Sequence, residues 1–420
     1  MHRRAFLLGT ITSLGLTAVA RSGTLGFGAG ELRGSLAPPM ARPIIQVDEP
    51  SAALQSAIDK AARAGRPLYL GPGRYEVSNI RLPHRTRLVG VPGETWIVYS
   101  GGGRLFYTED ARTLALEGLS IDGANRALAD EDDGLLSFAF VDDLSLSRLE
   151  VIGSAGHGLS LTRSGGRLSD CRVSGARGFG LVSTEGRSFG IDRNDISSCL
   201  GGGIHLRRWT AGEDGASVTG NRLTDLGGSG IRLDGASGVR VSGNDLRGMA
   251  GPGIVADAAS TGAAISGNTI DGAALGIALL GGADERLSMV EGNMIRNMAA
   301  TASADQLGGR AGGVGIHIEA HGTVTGNVVE ETPHLGLSLG WGAALGKVVA
   351  SGNIIRRAGA GIGVSVLAPE QTTVVTGNLL VGVENGAVRG MRFAEFATDD
   401  LMRVGTREVP GLTVGENRVA

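Results

Sequence analysis

The sequence predicts an all-β fold, a single-stranded right-handed parallel β-helix of roughly eleven or twelve coils closed by a short N-terminal capping helix. Three observations carry this. Glycine supplies 72 of 420 residues without the three-residue period of collagen. Asparagine recurs, mostly as Gly-Asn, at Asn194, Asn221, Asn244, Asn268, Asn293, Asn327, Asn353, Asn378 and Asn417, at intervals of 23 to 27 residues apart from gaps of 34 and 39. A second signature follows most of them, Gly then Ile or Leu, any residue, then an apolar one, as in GIHL at 203, GIRL at 230 and GIAL at 276.

Each interval therefore holds two or three very short strands with period-2 alternation, separated by Gly-rich bends. So short a unit cannot bury a core alone, and the units must stack. Leucine-rich repeats share the asparagine but need several leucines per repeat, whereas β-branched residues prevail here. Stacked coils lie about 4.8 Å apart. The asparagines are expected to take a left-handed bend and to hydrogen-bond through their amides along the stack.

The chain divides in order. Residues 1–20 read as an export signal, with Arg3 and Arg4 before Ala5-Phe6-Leu7-Leu8 and a small-residue site at Ala18-Val19-Ala20. The pair of arginines points to the twin-arginine translocase as export partner; an ordinary secretory signal is the alternative. Either places the mature protein in the periplasm or outside the cell. No segment is long and apolar enough to span a membrane. Residues 21–43 are a Gly- and Pro-rich linker. Residues 44–110 form the N-terminal cap: Leu54, Ile58, Ala61 and Ala62 keep helical spacing up to Gly65, and tight turns mark the first strands. A solenoid needs such a cap over its end strands. Coils fill 111–420, interrupted by 386–411, whose Phe393, Phe396 and Leu401 are expected to cover the far end.

Composition narrows function. Hydrophobic residues at 42% exclude a disordered chain, and a net charge of −3 argues against a nucleic-acid partner. Cys171 and Cys199 sit about 13 Å apart in register at 3.3 Å per residue, so two buried thiols are expected rather than a disulfide.

Aligning coils on the Gly-Ile signature gives outward columns. One reads Ser160, Val182, His205, Arg232, Val255, Ala278, His317, Ser338, Gly363; the column two residues later reads Thr162, Thr184, Arg207, Asp234, Asp257, Leu280, Glu319, Gly340, Ser365. His205, Arg207, Arg232, Asp234 and Asp257 thus gather on one face, where they suit an acidic sugar bound directly or through calcium. Asp234 and Asp257 are expected to approach closely enough to need a cation, an arginine or a raised pKa. The same residues also suit an exposed salt-bridged face. Trp209 could stack a sugar ring or cover the coil edge. The later coils offer mostly small or apolar groups, with His317 and Glu319 the exception.

Asp132 and Asp133 precede Gly134, and His157 precedes Gly158, one coil on. A carboxylate pair beside a histidine suits glycoside hydrolysis. The segment 299–312 reads as an inserted loop.

The stretch LQSAIDKAARAGRPLYLGPGRYEVSNIRLPHRTRLVGVPGET resembles the opening of pectate-lyase-superfamily right-handed β-helices. With the signal, the Gly-Asn coils and LTVGENRV at the end, the whole chain resembles the TAT-translocated repetitive proteins, a bacterial family of pectin-lyase-like solenoids. That resemblance implies export and the β-helix. The superfamily includes lyases, hydrolases, epimerases and non-catalytic proteins, so it implies either an acidic-polysaccharide hydrolase or lyase or a non-catalytic envelope protein that binds glycan or protein. Asp132, Asp133 and His157 are similar to the double aspartate and Gly-His-Gly of polygalacturonase-type hydrolases. The Asn-Thr-Asp upstream of that motif has no counterpart, and GFGLVST replaces its Arg-Ile-Lys coil.

Overall fold

A computed structural model describes residues 50–130, 134–281, 286–300, 310, 312–367 and 372–420. The signal with Arg3 and Arg4, the linker, Asp132 and Asp133 lie outside the described residues, as does most of the inserted loop.

The chain winds as a parallel β-helix of about twelve turns. Each coil contributes up to three short strands. One column of strands forms a continuous fourteen-stranded sheet, and the other two merge into a second sheet. Pairing between coils is parallel throughout except in one hairpin near the C-terminus. The core is a file of inward Leu, Ile, Val and Phe side chains, such as Ile204, Leu206, Ile231 and Leu233, all fully buried. Strict alternation makes this possible, because each strand sends every second side chain inward.

The helix Pro50–Arg63 closes the N-terminal end. Leu54 and Ile58 are buried, and Gly65 stops the helix with a positive φ of 61°. Gln55 completes the closure. Its Nε2 donates to the Arg81 carbonyl at 2.9 Å, and its Oε1 accepts the Arg81 N–H at 2.8 Å. One amide side chain thus occupies backbone groups that an edge strand would leave open to another chain.

The asparagines form an internal ladder from Asn194 to Asn417. Each Oδ1 accepts both the backbone N–H and the Nδ2–H of the asparagine one coil before, as Asn244 does from Asn221 at 2.9 Å each. The left-handed bend falls one residue earlier than expected. Gly220, Gly243, Gly267 and Gly292 carry φ of 62–64°, while the asparagines do not. Glycine takes the strained position because it lacks a Cβ, which frees the asparagine side chain to turn inward. Arg193 and Glu416 fill the glycine position at the two ends of the ladder, with φ of 52° and 55°.

Cys171 and Cys199 are both buried and free. Cys171 extends the ladder: its N–H donates to Asn194 Oδ1 at 3.0 Å, and its sulfur receives the Leu149 N–H at 3.4 Å. Burial pushes the Cys171 thiol up to about 12.

Charge on the middle column alternates along the stack. Glu150, Arg172, Asp195, Arg222 and Asp245 are successive rungs, as are Arg247, Asp271, Arg296, Glu330 and Arg356. Opposite charges directly across a pair favour the register and like charges oppose it. Near the C-terminus, Val388–Arg392 pairs antiparallel with Glu395–Asp400. Leu401 is buried, but Phe393 and Phe396 are not part of an end plug. They stay 53% and 37% exposed, Phe393 against Trp341 and Phe396 against His334.

Candidate functional site

The outward columns follow the expected register. Ser160, Val182, His205, Arg232, Val255, Ala278, His317, Ser338 and Gly363 are successive partners, and Thr162, Thr184, Arg207 and Asp234 likewise. His205 points out because Ile204 and Leu206 on either side are buried inward.

Asp234 is the hub of the early coils. Its Oδ2 lies 2.8 Å from His205 Nε2 and accepts from Arg232 Nε at 2.8 Å. Burial pushes its pKa up, but hydrogen bonds and charge from His205 and Arg232 outweigh that and hold the carboxyl below the ordinary range. An ionised carboxylate only accepts, so His205 Nε2 carries the proton. Asp257 faces its own turn instead. Its Oδ1 accepts from Gly235 N, Ala259 N and Ser260 Oγ at 2.9, 3.2 and 2.7 Å. The expected repulsion between Asp234 and Asp257 is therefore relieved without a shared cation. Among the described residues no group of three or more His, Cys, Asp or Glu is placed to hold a metal ion.

Arg207 has a different status. Its Nε donates to Thr184 Oγ1 at 2.8 Å, and no carboxylate among the described residues pairs with it. Beyond it the register shifts between Arg207 and Gly212, and the extra residues bulge outward. The bulge displays Trp209, 67% exposed. Its backbone is held by Glu185, whose Oε1 accepts from Trp209 N at 2.9 Å and whose Oε2 accepts from Arg208 at 3.0 Å. The Arg163 guanidinium lies over both Trp209 and Phe140, 5.4 and 5.7 Å from the ring centres. It too has no carboxylate partner among the described residues. Arg163 thus stands beside two exposed aromatic rings, with Arg207 two residues before one of them.

His157 is 9% exposed, and its Nδ1 accepts the Phe179 N–H at 2.9 Å. The strand register pairs His157 with Gly134 and Leu159 with Leu136. The residue across from His157 is Gly134, 23 residues earlier; Asp133 lies outside the described residues. Phe179 lies between two imidazoles, 6.1 Å from His157 and 4.9 Å from His205. The site so assembled joins His205, Arg207, Arg232 and Asp234, with Trp209 at its rim and His157 beyond Phe179; Asp257 does not share it.

Phe140, Arg163 and Phe179 escaped the sequence analysis because neither lone aromatics nor a lone arginine carries a motif. The later coils also differ from expectation. Val255, Ala278, His317 and Ser338 are at most 9% exposed although they point outward, and Ser338 and Arg310 join His317 and Glu319 in one polar cluster.

Residues 136–293 match the family model of the right-handed beta helix region. No curated protein matches the chain in sequence. Solved structures of similar shape include the catalytic unit of a thermostable GH87 α-1,3-glucanase from Streptomyces thermodiastaticus, at TM-score 0.58 and 16% identity over 90% of this chain and 67% of that one. The N-terminal fragment of bacteriophage Phi29 gene product 12 matches at 0.51 and 14%, over 89% and 70%. The Dettilon tailspike protein matches at 0.50 and 16%, over 84% and 67%. At these identities the likeness is one of fold: the chain is a right-handed parallel β-helix.

Proposed function

We propose that this chain is an exported solenoid that binds an acidic polysaccharide along the outward face of its early coils, near residues 157–234. One observation carries the reading. Arg163, with no carboxylate partner among the described residues, stands beside exposed Trp209 and Phe140, and Arg207, likewise without one, lies two residues before Trp209 on the same strand. Guanidinium groups grip carboxylates in a fork, and flat aromatic faces stack on sugar rings. Arg232 and His205 extend the cationic surface, with Asp234 fixing their orientation. The α-1,3-glucanase among the structural neighbours acts on a glycan; that likeness supports the fold, and the choice of an acidic glycan comes from the site.

The early site supports binding more than cleavage. A general acid needs a raised carboxyl pKa, and Asp234 is lowered. Hydrolysis would rest on Asp132 and Asp133 near His157. Export is proposed on Arg3 and Arg4 alone: with a reporter fused after residue 30, replacing both by Lys should block translocation.

Calorimetric titration of the mature protein with oligogalacturonates and with neutral oligosaccharides tests the binding, and reducing-end assays of the same mixtures test cleavage. Selective binding of the acidic oligomer, weakened by salt, is expected. Equal affinity for neutral and acidic oligomers would refute the acidic class.

A further inference from the structure

Late in the stack the outward columns hold a chain of polar groups within an apolar shell. His317 and Ser338 are adjacent rungs, and Glu319 lies two residues after His317 on the same face. Ser338 Oγ is 2.9 Å from His317 Nδ1, and His317 Nε2 is 2.8 Å from Glu319 Oε1. The three side chains are all more than nine-tenths buried. The Gly281 N–H donates to Glu319 Oε2 at 2.9 Å, and Arg310 donates to Oε1 at 2.6 and 2.8 Å.

Proton positions follow from these partners. Burial raises Glu319, but His317, the Gly281 amide and Arg310 outweigh it and hold the carboxyl below its ordinary range. The ionised carboxylate can only accept, so Nε2 carries the ring proton and Nδ1 is left as an acceptor. The Ser338 hydroxyl must then donate to Nδ1. A hydroxyl donating to an imidazole oriented by a carboxylate is an activated nucleophile, recognised by geometry rather than by sequence order.

We propose that Ser338, His317 and Glu319 form a covered acyl-transfer site for carboxylic esters with a small acyl group. The size follows from the surroundings. Ser338 is in register with Gly363, where any added Cβ would meet Met391 at 2.8 Å and Leu335 at 3.0 Å. Those two side chains belong to an apolar cluster with Ala278, Val314 and Ala360. The shell leaves no room for a long chain, so only a short acyl group could be admitted, by displacement of these side chains. In the first step Ser338 Oγ bonds to the acyl carbon, the ester C–O bond breaks, and the hydroxyl proton passes through Nδ1 to the leaving alcohol. In the second, water gives a proton to Nδ1 and its oxygen bonds to the acyl carbon. Ser338 leaves with that proton and the carboxylic acid is released; water is the only co-reactant. Trp341 covers the site, edge-on to His317 at 6.4 Å and braced by Phe393 at 5.5 Å.

The test uses the mature chain, wild type and Trp341→Ala, with a fluorophosphonate probe and p-nitrophenyl acetate. The probe should phosphonylate Ser338, as mapped by peptide mass spectrometry, and Trp341→Ala should react faster. Ser338→Ala should lose both labelling and turnover while its melting curve is kept. His317→Gln should slow turnover about 100-fold or more. Absence of a Ser338 adduct in both proteins, or turnover unchanged in Ser338→Ala, would overturn the proposal.

Discussion

The same outward column is open at His205 and closed at His317. Both imidazoles face a carboxylate at 2.8 Å, and both stand on equivalent strands. His205 and Asp234 are 12% and 29% exposed at the side chain, whereas His317 and Glu319 are 2% and 3%. The backbone does not make this difference, since the register is continuous from one to the other. Among the described residues it comes from what packs around the pair: Arg310, Ser338 and Trp341 late in the stack, and Phe179 and Arg232 early. A solenoid coil thus decides where a side chain points, while inserted segments decide whether water reaches it. Water access in turn sets the strength of every charge interaction there.

The largest expected effect breaks the comparison directly. Glu319→Ala leaves Arg310 and His317 covered without their carboxylate, and uncompensated buried charge costs about 3–5 kcal/mol. Asp234→Ala exposes its partners to water and should cost under about 1 kcal/mol. Urea unfolding of the two variants measures the contrast. Equal losses would mean that the late cover does not exclude water.

The ladder beneath both regions is common to them. Asn268 is fully buried, donates to Val241 O, Ser266 O and Asn293 Oδ1, and accepts two bonds from Asn244. Asn268→Ala should cost about 1–3 kcal/mol, because its neighbours lose buried partners. Arg296→Ala, on the exposed alternating column, should cost under about 1 kcal/mol. Equal melting shifts would deny the ladder its structural role.

How much of this was legible before the structure depends on what anchored each inference. The Gly-Ile or Gly-Leu signature recurs in most coils, so it carried the outward columns residue by residue. His157 sat one residue out because the coil between Leu136 and Leu159 is 23 long, and no signature marks the gap between Gly134 and Gly158. The left-handed residue was misplaced because Gly and Asn occur together, and composition alone does not separate their roles. The cover over His317 was invisible for a different reason. An insertion is read from sequence as a length, and nothing in that length says that Arg310 reaches Glu319. Ser338 looked inert in the column for the same reason.

Ligand binding should separate the regions with little change in stability. Arg207→Ala is expected to weaken an acidic oligosaccharide about tenfold or more, since a charge-assisted hydrogen bond contributes about 1.5–3 kcal/mol, and Trp209→Ala about fivefold through lost stacking, about 0.5–1.5 kcal/mol. Their melting temperatures should stay near wild type. Trp341→Ala, on the covered coils, should leave that affinity unchanged. Titration calorimetry with all three variants reads the outcome, and a loss on Trp341→Ala would move the glycan site up the stack.

The smallest expected effect concerns three carboxylates at three depths. Asp234 and Glu319 are both lowered by their partners. A lowered carboxyl contributes stability above its unfolded-state pKa, about 3.9 for Asp and 4.3 for Glu, and loses it as pH falls through the folded value. Asp214 runs the other way. Its side chain is fully covered 3.7 Å from Arg208, and among the described residues no hydrogen bond of normal geometry reaches either oxygen. Burial outweighs Arg208 and pushes its pKa up. A raised carboxyl destabilises while it is charged, and the penalty fades as pH falls through the folded value, because the native state binds the proton first. Asp214→Asn should therefore raise the melting temperature slightly at pH 7, with the gain shrinking as the pH is lowered towards 4. Asp234→Asn should instead lose stability at pH 7, and the difference should begin to close near pH 4 and vanish only below the lowered folded value, where the folded carboxyl is protonated as well. Melting curves at several pH values would show the two differences with opposite sign. If both variants lose stability at pH 7, the charge on Asp214 is compensated through Arg208, and depth alone does not decide what a carboxylate contributes in this solenoid.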